Sequence, residues 1–293
     1  MQIRPVRLAS DLGRVLALLE EVETVDGHHP IGEHKYLTLM SGSPEEVVGL
    51  VAEVDGDLSG YVALTPSREQ GWWAMEIAMA PRYRTAEAFL DLLRAGLKEA
   101  VARGGTAIRA WIFQPRLAEV AVRAGFSPER ELFKLELQLP VGLEPQWPQG
   151  IRTESFVLGR DEDSWLAVNN AAFFGHPENG RWTREVLDDR FGQPWFRADD
   201  LVMAWNDGDL AGFCWVKPAT EGGEIYVIAV APADQGRGLG KALVLDGVRR
   251  IEAAGGRKAF LYVDASNRAA LAVYRSIGFY LDHVDRSFVR VLA

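Results

Sequence analysis

The chain has 293 residues, room for two domains of ordinary size, each able to bury its own core. A content of 48% hydrophobic and 25% charged residues excludes wholesale disorder, and a net charge of −9 excludes the broad basic field that sequence-independent nucleic-acid binding requires. The single cysteine, Cys214, excludes an intramolecular disulfide, a CxxC redox pair and a cysteine-built zinc site, and it fits a reducing cytoplasm.

The opening stretch MQIRPVRLASDLGRVLALLEEVE carries Arg, Asp and Glu at intervals that interrupt any signal-peptide core. No later run approaches the roughly 18 apolar residues that span a bilayer. A soluble cytoplasmic protein with no membrane partner is expected. Residues 46–63, EVVGLVAEVDGDLSGYVA, read as two strands around an Asp-Gly turn, the strongest short-range hairpin signal. A strand ending in Ala-Pro follows, WAMEIAMAP, closing at Pro81. Then come an Ala/Leu-rich helix, the strand TAIRAWIF, the helix RLAEVAVRAGF and a closing strand. The Pro/Gly-rich segment VGLEPQWPQG, residues 141–150, has the composition of an exposed linker.

Beyond it the same order returns. Residues 201–216 form a second hairpin around Asn206-Asp207-Gly208-Asp209, and EIYVIAVAP closes at Pro232. A helix, the strand AFLYV, the helix NRAALAVYRSIGF and FVRVL complete the copy. Pro81 and Pro232 are 151 residues apart, and the Gly-Phe pairs at Gly125 and Gly278 are 153 apart, so the chain reads as tandem copies of one α/β module. The expected division is 1–140, a linker at 141–150, and 151–293.

Between the strand ending at Val230 and the next helix lies Gln235-Gly236-Arg237-Gly238-Leu239-Gly240-Lys241. Alternate glycines let backbone N–H groups turn inward, and the following helix aims its positive end at the same spot, which makes a phosphate cradle. The spacing is neither GxGxxG nor GxxxxGK[ST], which removes dinucleotide-binding and nucleotide-hydrolysing folds. It does match Q/R-x-x-G-x-G/A through Gln235, Gly238 and Gly240. Together with Asn267, Ala270, Tyr274, Gly278 and Phe279, read as N-x-x-A-x-x-x-Y-x-x-x-G-F, it resembles the GCN5-related N-acetyltransferases (GNAT). That resemblance implies two modules, each a mixed, mostly antiparallel sheet flanked by helices, and acetyl-CoA as acetyl donor.

Acetyl transfer to an amine needs a neutral nucleophile, a stabilised oxyanion and a proton for the departing thiolate. Glu224 opens the cofactor-side strand and is the candidate general base; a solvated strand-end carboxylate is its ordinary alternative. Tyr274 stands two turns after Asn267 on one helix face and is the candidate acid; packing in the core is its alternative. A backbone N–H from residues 228–230 serves the oxyanion. Counted back from Pro81 and Phe126, the first copy has Trp73 and Ala121 at these places. Its loop, Arg82-Tyr83-Arg84-Thr85-Ala86-Glu87, contains no glycine. The first module is therefore expected to lack transfer activity, to hold CoA poorly and to wall its neighbour's substrate cleft.

The tandem arrangement, with the stretches NNAAFFGHPENGRW, PWFRADDL, GFCWVKP and LYVDASNRAALAVYRSIGF, resembles the mycothiol synthase family, which acetylates the cysteinyl amine of a cysteine–glucosamine–inositol precursor. The glycine-free first loop departs from that family. The resemblance implies substrate contacts at Glu33, Asp199, Lys217, Glu224 and Tyr262. It places acetyl-CoA on Ile228, Ala229 and Val230, on Gln235, Gly236, Arg237, Gly238, Leu239, Gly240 and Lys241, and on Asn267, Arg268, Ala269, Ala270, Leu271 and Ala272. His176 and Trp182 fall in a shared stretch and are given no role beyond cleft lining. No HxH or HExxH spacing supports a metal site, and Cys214 beside Trp215 reads as packing. Two alternatives stay open: an acetyltransferase for another small amine, such as an aminoglycoside or peptide amine, and a non-catalytic CoA-binding sensor. Two joined modules satisfy the pairing that single-module relatives obtain by dimerising, so a monomer is expected.

Overall fold

The computed structural model describes residues 1–41, 47–67, 70–175 and 180–292. It divides into two compact units, Met1–Glu131 with Asp285–Ala293, and Leu132–Val284.

The first unit contains β1 (Gln2–Pro5), α1 (Leu8–Asp26), α2 (Glu33–Ser41), β2 (Val48–Val54), β3 (Asp57–Pro66), β4 (Trp72–Met79), α3 (Ala86–Ala102), β5 (Ala107–Ile112) and α4 (Pro115–Arg123). Its strands lie in the order β1-β2-β3-β4-β5, antiparallel except for β4 and β5. Val15, Leu18, Leu19 and Val22 recur at helical spacing along α1 and are buried with Tyr61 and Ala63 of β3 on one face. Phe89, Leu92, Leu93 and Leu97 of α3 cover Val62, Met75 and Ile108 on the other. Alternating side chains thus give the sheet two apolar faces, each roofed by helices.

The second unit repeats this with β7 (Ile151–Ser155), α5 (Glu162–Ala172), α6 (Arg184–Phe191), β8 (Leu201–Asn206), β9 (Asp209–Ala219), β10 (Gly222–Val230), α7 (Leu239–Ala253), β11 (Lys258–Asp264) and α8 (Arg268–Ile277). The order is β7-β8-β9-β10-β11, and only β10 and β11 run parallel. α7 and α8 close over one face through Leu243, Val248, Leu271 and Ile277, while α5 and α6 close over the other through Trp165, Val168 and Leu187.

Each sheet gains its last strand from the other repeat. β6 (Ser127–Gln138) pairs with β11 through residues 132–138, and β12 (Tyr280–Val291) pairs with β5 through residues 286–291. The compact units therefore differ from the expected division at 141–150 by two strands. Residues 141–150 lie inside the second unit, where Val141 and Trp147 pack on its core and the Val141 N–H donates to Glu252 Oε1 at 2.8 Å. Six of its ten residues are exposed, and these contacts tie the segment to the second unit.

Both Asp-Gly turns have the two-residue form with positive φ at each position: Asp55 at 51° and Gly56 at 89°, Asp207 at 50° and Gly208 at 97°. Glu46, in the expected first strand, lies outside the described residues. A further landmark repeats at the first helix of each unit. Asp11 Oδ2 accepts from the Arg7 N–H at 2.7 Å and Asp161 Oδ2 from the Val157 N–H at 2.8 Å, 150 residues apart. The offset is 152 at the two turns and 151 at the Ala-Pro ends; within the strands themselves β10 carries a bulge between Ile225 and Val227, whereas β4 pairs with β3 without interruption.

Candidate active site

The bulge fixes which way β10 presents its side chains. Ile225, Ile228 and Val230 pack against the core beneath α7 and α8, whereas Tyr226, Val227 and Ala229 pack beneath α5 and α6. Tyr226 is the extra residue, so it and Val227 share a face. Matched face for face, Glu224 corresponds to Ala74, not to Trp73 as the unbulged count gave; Trp73 is a core residue under α3. Neither is an acid. Ala121, opposite in role to Tyr274, is fully buried in α4.

β10 and β11 pair only from Gly222↔Lys258 to Glu224↔Phe260. Among the described residues no ladder joins them farther on, so the backbone of residues 225–230 is released from its parallel neighbour where the bulge loosens the antiparallel one. Ile228, Ala229 and Val230 lie on this stretch. Gln235 Nε2 donates to the Val230 carbonyl at 3.3 Å and ties the glycine loop to its end. Gly236 and Gly238 have φ of 78° and 87°, conformations that only glycine adopts without strain. Gly238 is the N-cap of α7, with no side chain capping the first N–H groups and no acid in the first turn, which leaves the positive helix end available to an anion. Arg237 is held by Asp234 at 2.6 Å, while Lys241 has no ion-pair partner among the described residues. The side chains of Leu239 and Leu271 are core, so these two face a ligand only through their backbone. Asn267 caps α8, its Oδ1 accepting from the Ala270 N–H at 3.1 Å; Arg268, Ala269 and Ala272 are exposed around that helix start.

Glu224 is half-buried, directly across from Lys217 on β9 and Phe260 on β11. Phe260 and Tyr262 are two apart on β11, so Lys217, Glu224 and Tyr262 share the face under α5 and α6. Tyr274 comes from the other face, 6% exposed among Cys214, Leu271 and Phe279. The two candidates therefore flank the parting of β10 and β11 from opposite sides. Burial pushes the Tyr274 phenol above its ordinary range, which keeps the proton on the oxygen that would donate it. Burial also pushes the Cys214 thiol up; at 0% exposure it is a packing residue, as its neighbours in sequence implied.

The structure adds a feature that reading the chain missed. The Lys217 ammonium lies 4.9 Å from the Trp195 ring centre and 5.2 Å from that of Tyr226, whose hydroxyl accepts from Arg190 Nε at 3.2 Å. Aromatic faces hold a cation without neutralising it. Lys217 was expected in the site, and Trp195 and Tyr226 lie inside PWFRADDL and EIYVIAVAP, but nothing along the chain joined the three. Asp199 stands exposed in the turn Ala198–Asp200, before β8, its carbonyl taken by Arg250. Glu33 is the first residue of α2, in the first unit. Trp182, expected to line a cleft, is 7% exposed and packed on Trp165; His176 lies outside the described residues. Among the described residues no cluster of His, Cys, Asp and Glu is arranged to hold a metal ion, and no helix is long and apolar enough to cross a membrane.

Residues 163–279 match the acetyltransferase (GNAT) family, a span that holds β10, the glycine loop and α8. The fold is shared with a tandem GNAT protein from the clavulanic acid biosynthesis pathway, at 16% identity and TM-score 0.78 over 99% of this chain and 98% of that one. A GCN5-related N-acetyltransferase from Sphaerobacter thermophilus is similar at TM-score 0.75 and 21% identity, over 99% and 95%. In sequence, the mycothiol acetyltransferase of Streptomyces coelicolor is 40% identical over 92% of this chain and 89% of its own, and that of Thermobispora bispora 36% identical over 96% of both. The likeness runs through both units, not only the one that carries the glycine loop, and on that ground the chain belongs to the mycothiol acetyltransferase family of GNAT N-acetyltransferases.

Proposed function

We propose that the second unit transfers an acetyl group from acetyl-CoA to the cysteinyl amine of the cysteine–glucosamine–inositol precursor of mycothiol, in the cytoplasm and as a monomer. The observation that carries the chemistry is the parting of β10 and β11 at Glu224, on the strand that leads into an uncapped helix end. The choice of acceptor follows from relatives of that name along nearly the whole chain.

Acetyl-CoA supplies a thioester; the chain supplies proton handling and placement. Backbone N–H groups of the glycine loop and the first turn of α7 fit a pyrophosphate, with Lys241 as the added cation. An alkylammonium must lose a proton before its nitrogen can bond to the acetyl carbon, and Glu224 takes that proton, directly or through one water. As the N–C bond forms, a backbone N–H of residues 228–230 steadies the carbonyl oxygen as it gains charge. When the C–S bond breaks, Tyr274 gives its proton to the leaving sulfur, and the second proton shed by the nitrogen as the amide forms returns to Tyr274 by way of solvent. Asp199, Lys217 and Tyr262 of the second unit contact the hydroxyl-rich acceptor, with Lys217 presented by its aromatic bracket. The test is thiol release from acetyl-CoA with the desacetyl precursor and with a panel of aminoglycosides and peptide amines, products identified by mass. Selective acetylation of the precursor is expected. Turnover of another amine alone, or CoA binding without turnover, would overturn the acceptor or the activity respectively.

A further inference from the structure

The glycine loop of the second unit is built of residues that resist being held still. Gly236 and Gly238 stand at positive φ, but glycine leaves that region as readily as it enters it, so an ordered loop needs ties from its other residues. One tie closes over Gly236. Asp234 Oδ1 accepts from Arg237 Nη1 at 2.6 Å and, from the end of β8, from Asn206 Nδ2 at 3.0 Å. Arg237 Nη2 donates to the Gln149 carbonyl at 3.4 Å, and the Asp234 N–H donates to the Ala231 carbonyl at 2.9 Å. One acid–arginine pair thus joins the loop to the chain before β7 and to the end of β8. The Asp234 side chain is 14% exposed. An acid two residues before an anion cradle opposes the anion unless a cation answers it, and here the answering cation is the loop's own arginine. In the first unit the corresponding turn also has a pair, Arg82 with Asp57 at 3.2 Å, but both side chains are 60% exposed and the loop beside them has no glycine to hold.

We propose that Asp234 is a positioning residue for the glycine loop: with Asn206 it grips the Arg237 guanidinium, so that Arg237 shapes the cradle with its side chain and meets the ligand through its backbone alone. This rests on the reading of the loop, under the proposed function, as the cradle for the pyrophosphate of acetyl-CoA. The attraction for phosphate then comes from the loop N–H groups, the open end of α7 and Lys241, and the grip orders them before the ligand arrives. An Arg237 that bound phosphate directly, restrained by Asp234, gives the opposite sign when the acid is removed.

Binding of CoA to the full chain, followed by titration calorimetry, tests the proposal with no acceptor present. Asp234→Ala is expected to raise the Kd about tenfold, and Asp234→Asn, whose side-chain oxygen still accepts from both partners, to stay within about threefold of wild type. Arg237→Ala should match Asp234→Ala, and the double variant should bind no more weakly than either alone, because both remove the same contact. Tighter binding in Asp234→Ala, no rescue in Asp234→Asn, or a double variant weakened by the product of the two single effects would overturn the proposal. In steady state the change should fall on the acetyl-CoA KM, with kcat within about twofold, and a fall in kcat alone would overturn it as well. Trypsin reads the grip with no ligand at all. Cleavage after Arg237, identified by mass, should quicken about tenfold in Asp234→Ala and return toward the wild-type rate in Asp234→Asn, and an unchanged rate would overturn the grip even if CoA did not bind.

Discussion

After the fourth strand of its sheet, each unit makes a single turn of 3-10 helix begun by Pro81 or Pro232, and then enters a helix. In the second unit that entry is Gly238, with no side chain on the first N–H groups of α7. In the first it is Thr85, whose hydroxyl accepts from the Ala88 N–H at 3.1 Å, and Glu87 lies in the first turn of α3. The strands differ as well. Past its last pairing with β10, β11 stands apart, whereas in the first unit Asp26 joins the ends of β4 and β5. Its carboxylate accepts from Arg84 at 2.6 and 2.7 Å and from Gln114 Nε2 at 3.0 Å. One architecture thus has its parting strands open in one copy and laced in the other. Strand for strand and helix for helix the two copies agree, and they differ in whether the polar groups at this place have partners inside the protein.

The comparison breaks first at the acid. Glu224→Gln should lower kcat/KM by about 10²–10⁴ and flatten the acid limb of its pH profile, whereas Ala74→Glu in the first unit should change neither; steady-state rates across pH decide it. Tyr274→Phe should lower kcat roughly 10- to 100-fold with acetyl-CoA affinity unchanged, and stopped thiol release would show it. Smaller effects sharpen the loops. Nothing lies within 4 Å of a Cβ on Gly238, so Gly238→Ala adds backbone strain alone, of about 1 kcal/mol, and should raise the acetyl-CoA KM several-fold. Thr85→Ala should cost about 1 kcal/mol of stability in urea unfolding with no effect on that KM.

The smallest effect is on pH dependence. Hydrogen bonding to Arg4 holds the Asp11 carboxyl well below its ordinary value of 3.8, so the ionised form stabilises the folded state at neutral pH. That contribution is complete above the ordinary value and is lost as pH falls below it toward the folded value. Asp11→Asn should therefore flatten the fall in melting temperature below about pH 4, measured by circular dichroism, and leave turnover at neutral pH as it is.

How much of this was legible depended on whether a feature is local. Both hairpins announced themselves through Asp-Gly, because a two-residue turn with positive φ restricts its own residues. The glycine loop did so for the same reason. The bulge at Tyr226 did not, since IYVIAV alternates plausibly with or without an extra residue, and the repeat offset, 150 at the first helices, 152 at the turns and 151 at the Ala-Pro ends, varies too much to betray it. The bracket around Lys217 draws on α6, the segment after it, and two strands, and no spacing along the chain connects them. The exchanged strands were hidden because the order of elements is the same whichever sheet the final strand joins.

That exchange has a consequence for the chain as it is made. The strand that covers the open edge of β5, residues 286–291, is made more than 170 residues after it. Until then the first unit carries an unpaired apolar edge, open to wrong neighbours, and its contacts span most of the chain length, a separation that slows folding. Removal of β12 should therefore harm the unit that is made first.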